Sequence, residues 1–210
     1  DLSHLFGFFS IFNADAVKDV KLFKGGMPAN YGGRLSSVLD IRQKEGNTKK
    51  FSGNGGIGLL SSRLTLEGPI VKDKVNFMLA GRRSYFDLFF PLFDVPELNE
   101  SVAYFYDFNA KLNAKVSKKD KIYLSAYFGR DQFSASELFK FGWGNWTSTL
   151  RWNRVISPKW FFNASAVYSD YKYQLGADGT TPFEWDSRIR NLVQNAKWTY
   201  YKNNAHTIEF

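Results

Sequence analysis

The sequence contains no cysteine, only two histidines and no long apolar run. Without cysteine, neither a disulfide nor a thiolate metal site can form. His4 and His206 lie at opposite ends of the chain, and neither an HExxH motif nor a Ser-His-Asp order accompanies them. A membrane-spanning helix needs about 20 consecutive apolar residues, and none of that length is present. We therefore expect no catalytic residues, no metal site, no cofactor and no helical membrane span.

What the sequence does contain is a repeated alternation of apolar and polar residues after residue 50. Between Val102 and Val116, for example, one face carries the apolar and aromatic side chains, and the other carries Asp107, Asn109, Lys111, Asn113 and Lys115. Alternation with a period of two predicts a β-strand with one apolar face. The alternation also accounts for 18% aromatic residues in a chain whose mean hydropathy is −0.34. These strands exceed the usual length of about 5–6 residues, which favours a transmembrane β-barrel.

The alternation divides this part of the chain into long strands joined by short turns and longer loops. We predict strands over residues 51–58, 61–71, 75–88, 102–116, 121–133, 142–156, 159–174 and 185–201, with a ninth from His206. Short turns at 72–74, 117–120, 157–159 and 202–205 alternate with longer loops at 89–101, 134–141 and 176–184. Outer-membrane barrels have short periplasmic turns and long extracellular loops. We expect the two sets at opposite rims.

The same alternation assigns the faces of the strands. The lipid-facing residues are predicted to be Leu64, Leu66, Ile70, Phe77, Leu79, Phe108, Leu112, Ile122, Leu124, Phe128, Leu150, Phe162, Leu192 and Trp198. The charged lumen-facing residues are predicted to be Arg63, Glu67, Arg82, Asp107, Lys111, Arg151 and Lys197. Such a mixed wall fits a barrel that holds a plug, a selective pore, or a simply solvated interior. Aromatic residues near both rims are typical of membrane interfaces.

The net charge of +8 raises the question of nucleic-acid binding. The lysines gather in the predicted turns, at Lys72, Lys74, Lys118, Lys119 and Lys202. Lysines in turns beside a membrane surface are ordinary solvated groups, and we expect no nucleic-acid partner.

The first 48 residues lack the long alternation. We predict a short helix over 13–20 that Asn13 can cap, strands over 21–24 and 37–41, and a polar linker over 46–50. Between the strands, residues 25–34 form a glycine-rich turn region. The turn glycines Gly25, Gly26, Gly32 and Gly33 permit positive φ and a close approach of the backbone. A surface hairpin with ordinary turn glycines is the alternative.

The amino-acid sequence of this region resembles that of one protein family. Residues 16–26 (AVKDVKLFKGG), 31–34 (YGGR) and 37–41 (SVLDI) resemble the C-terminal end of the plug domain of TonB-dependent outer-membrane transporters, in a form most similar to the Bacteroidota branch. The resemblance covers about 40 residues closely.

The resemblance implies a partial all-β antiparallel barrel in the outer membrane of a Gram-negative bacterium. Residues 1–48 would be the C-terminal part of an α+β plug, with residues 13–41 against the lumen face and their polar groups on lumen residues such as Arg63 or Lys111. Residues 49–210 would be about eight strands and the start of a ninth, from a barrel of roughly 22 strands. Both ends of the chain are interpreted as cuts in a longer protein.

The resemblance also implies a function and partners. A plug-gated barrel would import an unidentified ligand, driven by TonB through a segment outside this chain. Ligand contact at the plug apex would fall to Tyr31 and Arg34. Outer-membrane lipids and a surface lipoprotein are the other expected partners. The alternative is a transporter-like barrel that acts as a scaffold in a lipoprotein, secretion or assembly complex.

Overall fold

A computed structural model describes residues 3–4, 7–25, 31, 37–92, 101–135, 139–178 and 182–210. These residues form an almost entirely antiparallel β-structure. The N-terminal segment, defined here as residues 3–46, contains two small antiparallel pairs. Their strands are β1 (Ser3–His4), β2 (Phe9–Ser10), β3 (Val17–Lys24) and β4 (Ser37–Gln43).

Most of the described residues after residue 51 form one large antiparallel sheet. Its strands are β5 (Ser52–Ile57), β6 (Ser61–Val71), β7 (Val75–Ser84), β8 (Val102–Lys115), β9 (Asp120–Ala135), β10 (Phe139–Ser157), β11 (Trp160–Ala177), β12 (Phe183–Asn203) and β13 (His206–Glu209). Each strand pairs with the next one along the chain, and β5 and β13 form the two edges of this nine-stranded sheet. The prediction of long antiparallel strands after residue 50 is therefore confirmed.

Most strand boundaries agree with the alternation, and two do not. The predicted loop at 134–141 is wrong, because β9 and β10 continue pairing through Ala135 and Phe139. Ala135 extends β9, and Phe139 and Phe141 extend β10, beyond the predicted ends of these strands. The predicted strand over 75–88 is too long: β7 ends at Ser84 and a 3-10 helix follows at Phe86–Leu92. None of the helical segments among the described residues has the length and apolar character that crossing a membrane requires.

The predicted helix over residues 13–20 is also wrong. Asn13 accepts a hydrogen bond at Oδ1 from the Asp15 amide (3.0 Å) and at its carbonyl from the Ala16 amide (3.0 Å), which closes a turn. The chain then enters β3 at Val17 and pairs with β4. An Asx turn and a helix N-cap use the same side-chain chemistry, so Asn13 alone did not distinguish them.

The two faces of the large sheet differ sharply in polarity. The side chains on one face, called here the apolar face, include Leu64 (54% exposed), Leu124 (46%), Leu150 (51%) and Leu192 (66%). The other side, called the polar face, carries the charged and amide residues. Among the described residues, the N-terminal segment packs on the polar face, so the apolar face has no second sheet against it.

Aromatic side chains border the apolar face at both ends. Toward the short turns, Phe162 lies 4.5 Å from Trp198 and 5.5 Å from Trp152, and Trp160 stacks on Tyr200 at 4.6 Å, all between ring centroids. Toward the longer connections lie Tyr106, Phe128, Trp146 and Tyr168. The predicted two-band arrangement is thus present on the predicted face.

The apolar core lies between the N-terminal segment and the polar face. Ala16 of the segment is buried against Met78 and Ala80 of β7. Nearby, Phe105 of β8 is fully buried. This core is small, and most of the contact between the two parts is polar.

Candidate functional site

The polar face is the candidate site, because all seven predicted charged residues share it. The strand register places Arg63 opposite Arg82, Arg82 opposite Asp107, and Lys111 opposite Met78 on the next strands. The same register carries Glu67, Arg151 and Lys197 onto this face. Residues opposite one another in a ladder project to the same side of the sheet, and the alternation repeats that side at every second residue.

A buried charge network joins this face to the first strand of the N-terminal segment. Arg82 donates from Nε to Asp107 (2.7 Å) and from Nη2 to the Ser10 carbonyl (2.8 Å). His4 Nδ1 lies 2.6 Å from Oδ2 of Asp131, and its Nε2 lies 3.6 Å from Asp107. His4 is 1% exposed and the two carboxylates 2% each. Charges removed from water to this extent need such partners.

Aromatic side chains pack against His4 and Arg82 of the same network. The ring of His4 stacks on Phe105 with 4.2 Å between centroids and an interplanar angle of 6°. The Arg82 guanidinium lies 4.9 Å from the centre of the same ring, and Phe9 packs against it at 5.1 Å. Phe105 is therefore the main aromatic contact between the large sheet and the start of the N-terminal segment.

A second contact zone lies at the end of the N-terminal segment, around Gln43 and Glu45. Gln43 donates to Asn109 (3.0 Å) and its carbonyl accepts from Lys111 Nζ (3.1 Å). The side chains of Asn76 and Asn113 both donate to the Glu45 carbonyl. These contacts agree with the prediction that the segment's polar groups meet lumen residues such as Lys111.

Asp15 supplies a further ion pair at 3.2 Å from Arg63. Arg63 was the other residue predicted to meet this segment. The pair is half open to solvent, so its strength is modest.

A cavity of about 1130 Å³ lies between the N-terminal segment and the sheet. Its walls combine Gln43, Glu45 and Tyr31 with Lys111 and Arg151 of the polar face. Hydroxyl and amide side chains of β9–β11 complete the wall. The space is large enough for a small ligand, and cations outnumber carboxylates among these residues.

Tyr31 contributes to this cavity, but its hydroxyl is already engaged. It donates to Asp40 at 3.2 Å, and its ring lies 5.4 Å from Phe23. Burial and the neighbouring Asp40 carboxylate raise the pKa of Tyr31. Gly25 has φ +68, as its turn role predicted. Arg34, Gly26, Gly32 and Gly33 lie outside the described residues.

Toward the longer connections, the polar face becomes aromatic. Phe141 contacts Trp143 at 4.8 Å and Tyr173 at 5.0 Å, and Tyr173 contacts Trp185 at 6.2 Å. Trp185 is 60% exposed. The alternation places Trp143, Tyr173 and Trp185 on one side, but Phe141 falls in the predicted loop 134–141, and this ladder of rings was not predicted.

No motif or spacing in the sequence indicates His4 or Asp131 as site residues. They are 127 positions apart, and only the docking of β1 on β9 brings them together. Two other predicted charges have simple partners: Glu67 accepts from Ser52 (2.9 Å) and Lys197 pairs with Glu209 (2.8 Å). Among the described residues, no group of three or more His, Asp or Glu side chains could hold a metal ion.

Comparison of the chain with protein-family models, curated proteins and solved structures finds no significant match. The features that bear on function are therefore the two faces of the sheet and the residues packed against each.

Proposed function

We propose that this chain is part of a plug-gated β-barrel that imports a ligand across the outer membrane, driven through TonB. The observation that carries the proposal is the contrast between the two faces of the large sheet. A polar segment is packed on the polar face of long antiparallel strands, while the other face is a broad apolar surface. In a soluble sandwich a second sheet would cover the apolar face instead.

The dimensions of the apolar face support a lipid environment. From Tyr168 to Trp160, the outer residues of β11 run between the two aromatic borders. These nine positions match the about 9–11 residues of a transmembrane strand. An exposed apolar surface of this breadth marks an interface with lipid or another protein, and aromatic borders on both sides favour lipid.

The unpaired edge strands of the sheet favour a barrel with more strands than this chain contains. Unpaired backbone groups cannot face hydrocarbon without a large cost, so β5 and β13 require further partners in a bilayer. We propose that additional strands of a longer protein close the barrel around the N-terminal segment, as in the roughly 22-stranded plugged barrels.

The polar character of the interface suits a plug that moves. The segment is held by ion pairs and hydrogen bonds at Asp15, Gln43, Glu45 and His4, with a small apolar core. Water can replace such contacts when the segment is displaced, whereas a large apolar interface would have to be exposed. Ligand contact is assigned to the cavity beside Tyr31 and to the aromatic ladder from Phe141 to Trp185, with Arg34 as a further candidate.

Blocking by the segment is tested by ion conductance. The intact protein and a variant lacking residues 3–45 are reconstituted into planar bilayers in potassium chloride. We expect low conductance for the intact protein and large open-pore currents for the deletion. Heat-modifiable migration on gels verifies that both barrels are folded. Equal conductance from two folded barrels would contradict the plug assignment.

A cross-linking experiment separates import from a scaffold role. In Gln43→Cys/Asn109→Cys, a short bifunctional thiol reagent would tether the segment to β8. The control Asn153→Cys/Asn163→Cys ties two strands whose side chains are hydrogen bonded at 2.6 Å. If the protein is an importer, cells that need the imported ligand stop growing when the first variant is cross-linked, but not when the control is. If the cross-linker is reducible, cleaving it should restore growth of the first variant. A scaffold would keep its activity in both variants.

A further inference from the structure

The apolar face carries a row of basic residues that the proposed import does not use. The register of β7 to β12 aligns six positions side by side, each opposite the next: Arg83, Tyr106, Arg130, Gly144, Lys172 and Arg188. We call these positions the basic row. They are far apart in the sequence, and only the strand pairing brings them into one line.

The basic row lies directly beside the aromatic border of the apolar face. Arg130 is two residues beyond Phe128 on β9, and Lys172 is four beyond Tyr168 on β11. Two residues correspond to about 7 Å along a strand. In the proposed membrane orientation, the row is therefore level with the headgroups of the leaflet on the long-loop side.

Most of this charge is not neutralised by the protein. Arg83, Arg130 and Lys172 are exposed, and no carboxylate among the described residues lies within ion-pair distance of them. Arg130 donates instead to Gln174 (3.3 Å). Arg188 and Arg190 share one carboxylate, that of Asp170. Gly144 has no side chain, and the Arg130 side chain reaches across β10 to this Gln174 contact on β11.

The opposite border of the same face is different. There Arg154 pairs with Asp120 at 3.3 Å, and Trp152 Nε1 donates to the same carboxylate at 3.0 Å. Other cations at that border, such as Lys72 and Lys118, lie in separate turns, whereas those of the basic row stand side by side across neighbouring strands.

We propose that the basic row binds the phosphate groups of a lipid in the leaflet on the long-loop side. Arg130 and Lys172 contact the phosphates, Arg83 extends the row, and Arg188, held by Asp170, flanks it. The acyl chains of the same lipid lie on Leu79, Leu192 and their neighbours below the aromatic border. The occupant must carry both anionic groups and long apolar chains, because the row and the apolar band are continuous. This inference rests on the proposed outer-membrane location.

The test compares lipid binding by matched variants of the intact protein in a neutral detergent. Native mass spectrometry is used to titrate dioleoyl phosphatidic acid, with dioleoyl phosphatidylcholine as the uncharged counterpart. Arg130→Gln/Lys172→Gln should weaken phosphatidic acid binding about tenfold or more, because each basic residue near an anionic lipid contributes to the attraction. Lys72→Gln/Lys118→Gln removes the same charge from exposed turns at the other rim and should bind as the wild type does.

Each result decides a separate point. Equal binding by the two double variants, or no preference for phosphatidic acid over phosphatidylcholine, would overturn the inference. Inorganic phosphate that competes at the same concentration as the lipid would indicate an anion site without a lipid. If the first variant does not fold, Lys172→Gln alone should still weaken binding severalfold. Outer-membrane fractionation and heat-modifiability are measured separately: a protein absent from the membrane contradicts the proposed function, whereas a membrane barrel that ignores the lipid charge contradicts this inference alone.

Discussion

At the scale of single residues, the Arg82–Asp107 pair matters most, because it connects β7, β8 and the Ser10 carbonyl in one buried contact. Asp107 is 2% exposed, so its charge depends on Arg82 and on the nearby His4 for compensation. Breaking a buried pair by removing one partner leaves an uncompensated charge.

We expect Arg82→Met to destabilise the protein by about 3–5 kcal/mol. The check is the midpoint of urea unfolding, followed by heat-modifiable gel migration. Lys197→Met is the control, since its partner Glu209 is half exposed and its loss should have little effect. Arg82→Met/Asp107→Asn should recover much of the lost stability, because no charge is then left unpaired. A single variant as stable as the Lys197 control would show that the buried pair is unimportant.

Gly46 is the second decisive residue, at the point where the N-terminal segment passes to the sheet. Its φ is +83, and a Cβ there would run into the carbonyl oxygen of Phe77 and the side chain of Asn76. Gly25 also has positive φ, but nothing lies within 4 Å of the position of its Cβ.

Gly46→Ala should therefore loosen the N-terminal segment more than Gly25→Ala. Each substitution costs about 1–2 kcal/mol for its left-handed backbone, and only Gly46→Ala adds a collision with backbone. Limited proteolysis of the segment in the folded intact protein measures the difference. Equal protection of the two variants would mean that the close approach at Gly46 does not hold the segment.

At the scale of elements, β9 shows most clearly how one strand separates two environments. Leu124 lies midway along the apolar face and is 46% exposed, whereas Tyr123 lines the cavity on the polar face. The two residues are adjacent, so substitutions at them differ in face and hardly at all in depth.

Leu124→Arg should impair assembly far more than Tyr123→Arg in the intact protein. A basic residue at mid-depth on a lipid-facing surface costs about 2–4 kcal/mol, and a lumen position costs much less. The measured quantity is the amount of heat-modifiable folded barrel in outer-membrane fractions. Equal yields, or a larger loss for Tyr123→Arg, would show that the faces are wrongly assigned.

The strands were predictable because their signal is local. In β8 and β9, polarity alternates residue by residue, and burial of one face enforces the register. The segment around Asn13 was not predictable in the same way. Val17 and Val20 fit a helix or a strand equally well in so short a stretch, and pairing with β4 decided the outcome.

Contacts between distant parts of the chain could not be predicted from the sequence. His4 carries no motif, and its partner Asp131 lies on a strand whose neighbours give no indication of β1. Likewise, Arg83, Arg130 and Lys172 look like scattered strand-end charges until pairing aligns them. The alternation shows on which face of the sheet a residue lies. Which residues of neighbouring strands lie side by side depends on the register of every strand pair, and the alternation does not determine that register.

At the scale of the whole molecule, the account rests on one claim: the apolar face meets lipid while the polar face encloses the N-terminal segment and water. The alternation predicted both faces, and the N-terminal segment lies on the polar one, as predicted. Since the chain contains no cysteine, single cysteines introduced into it can report on each face directly.

The most direct measurement is a spin-label scan along β9 in the intact protein, with any cysteine elsewhere replaced by serine and the protein reconstituted in lipid bilayers. Single cysteines at 122 through 128 are labelled, and collision with oxygen and with a water-soluble nickel chelate is measured. The account predicts a period of two, with oxygen favoured at Ile122, Leu124, Ala126 and Phe128. Accessibility without alternation, or nickel chelate reaching Leu124 and Phe128 as readily as Ser125, would contradict it.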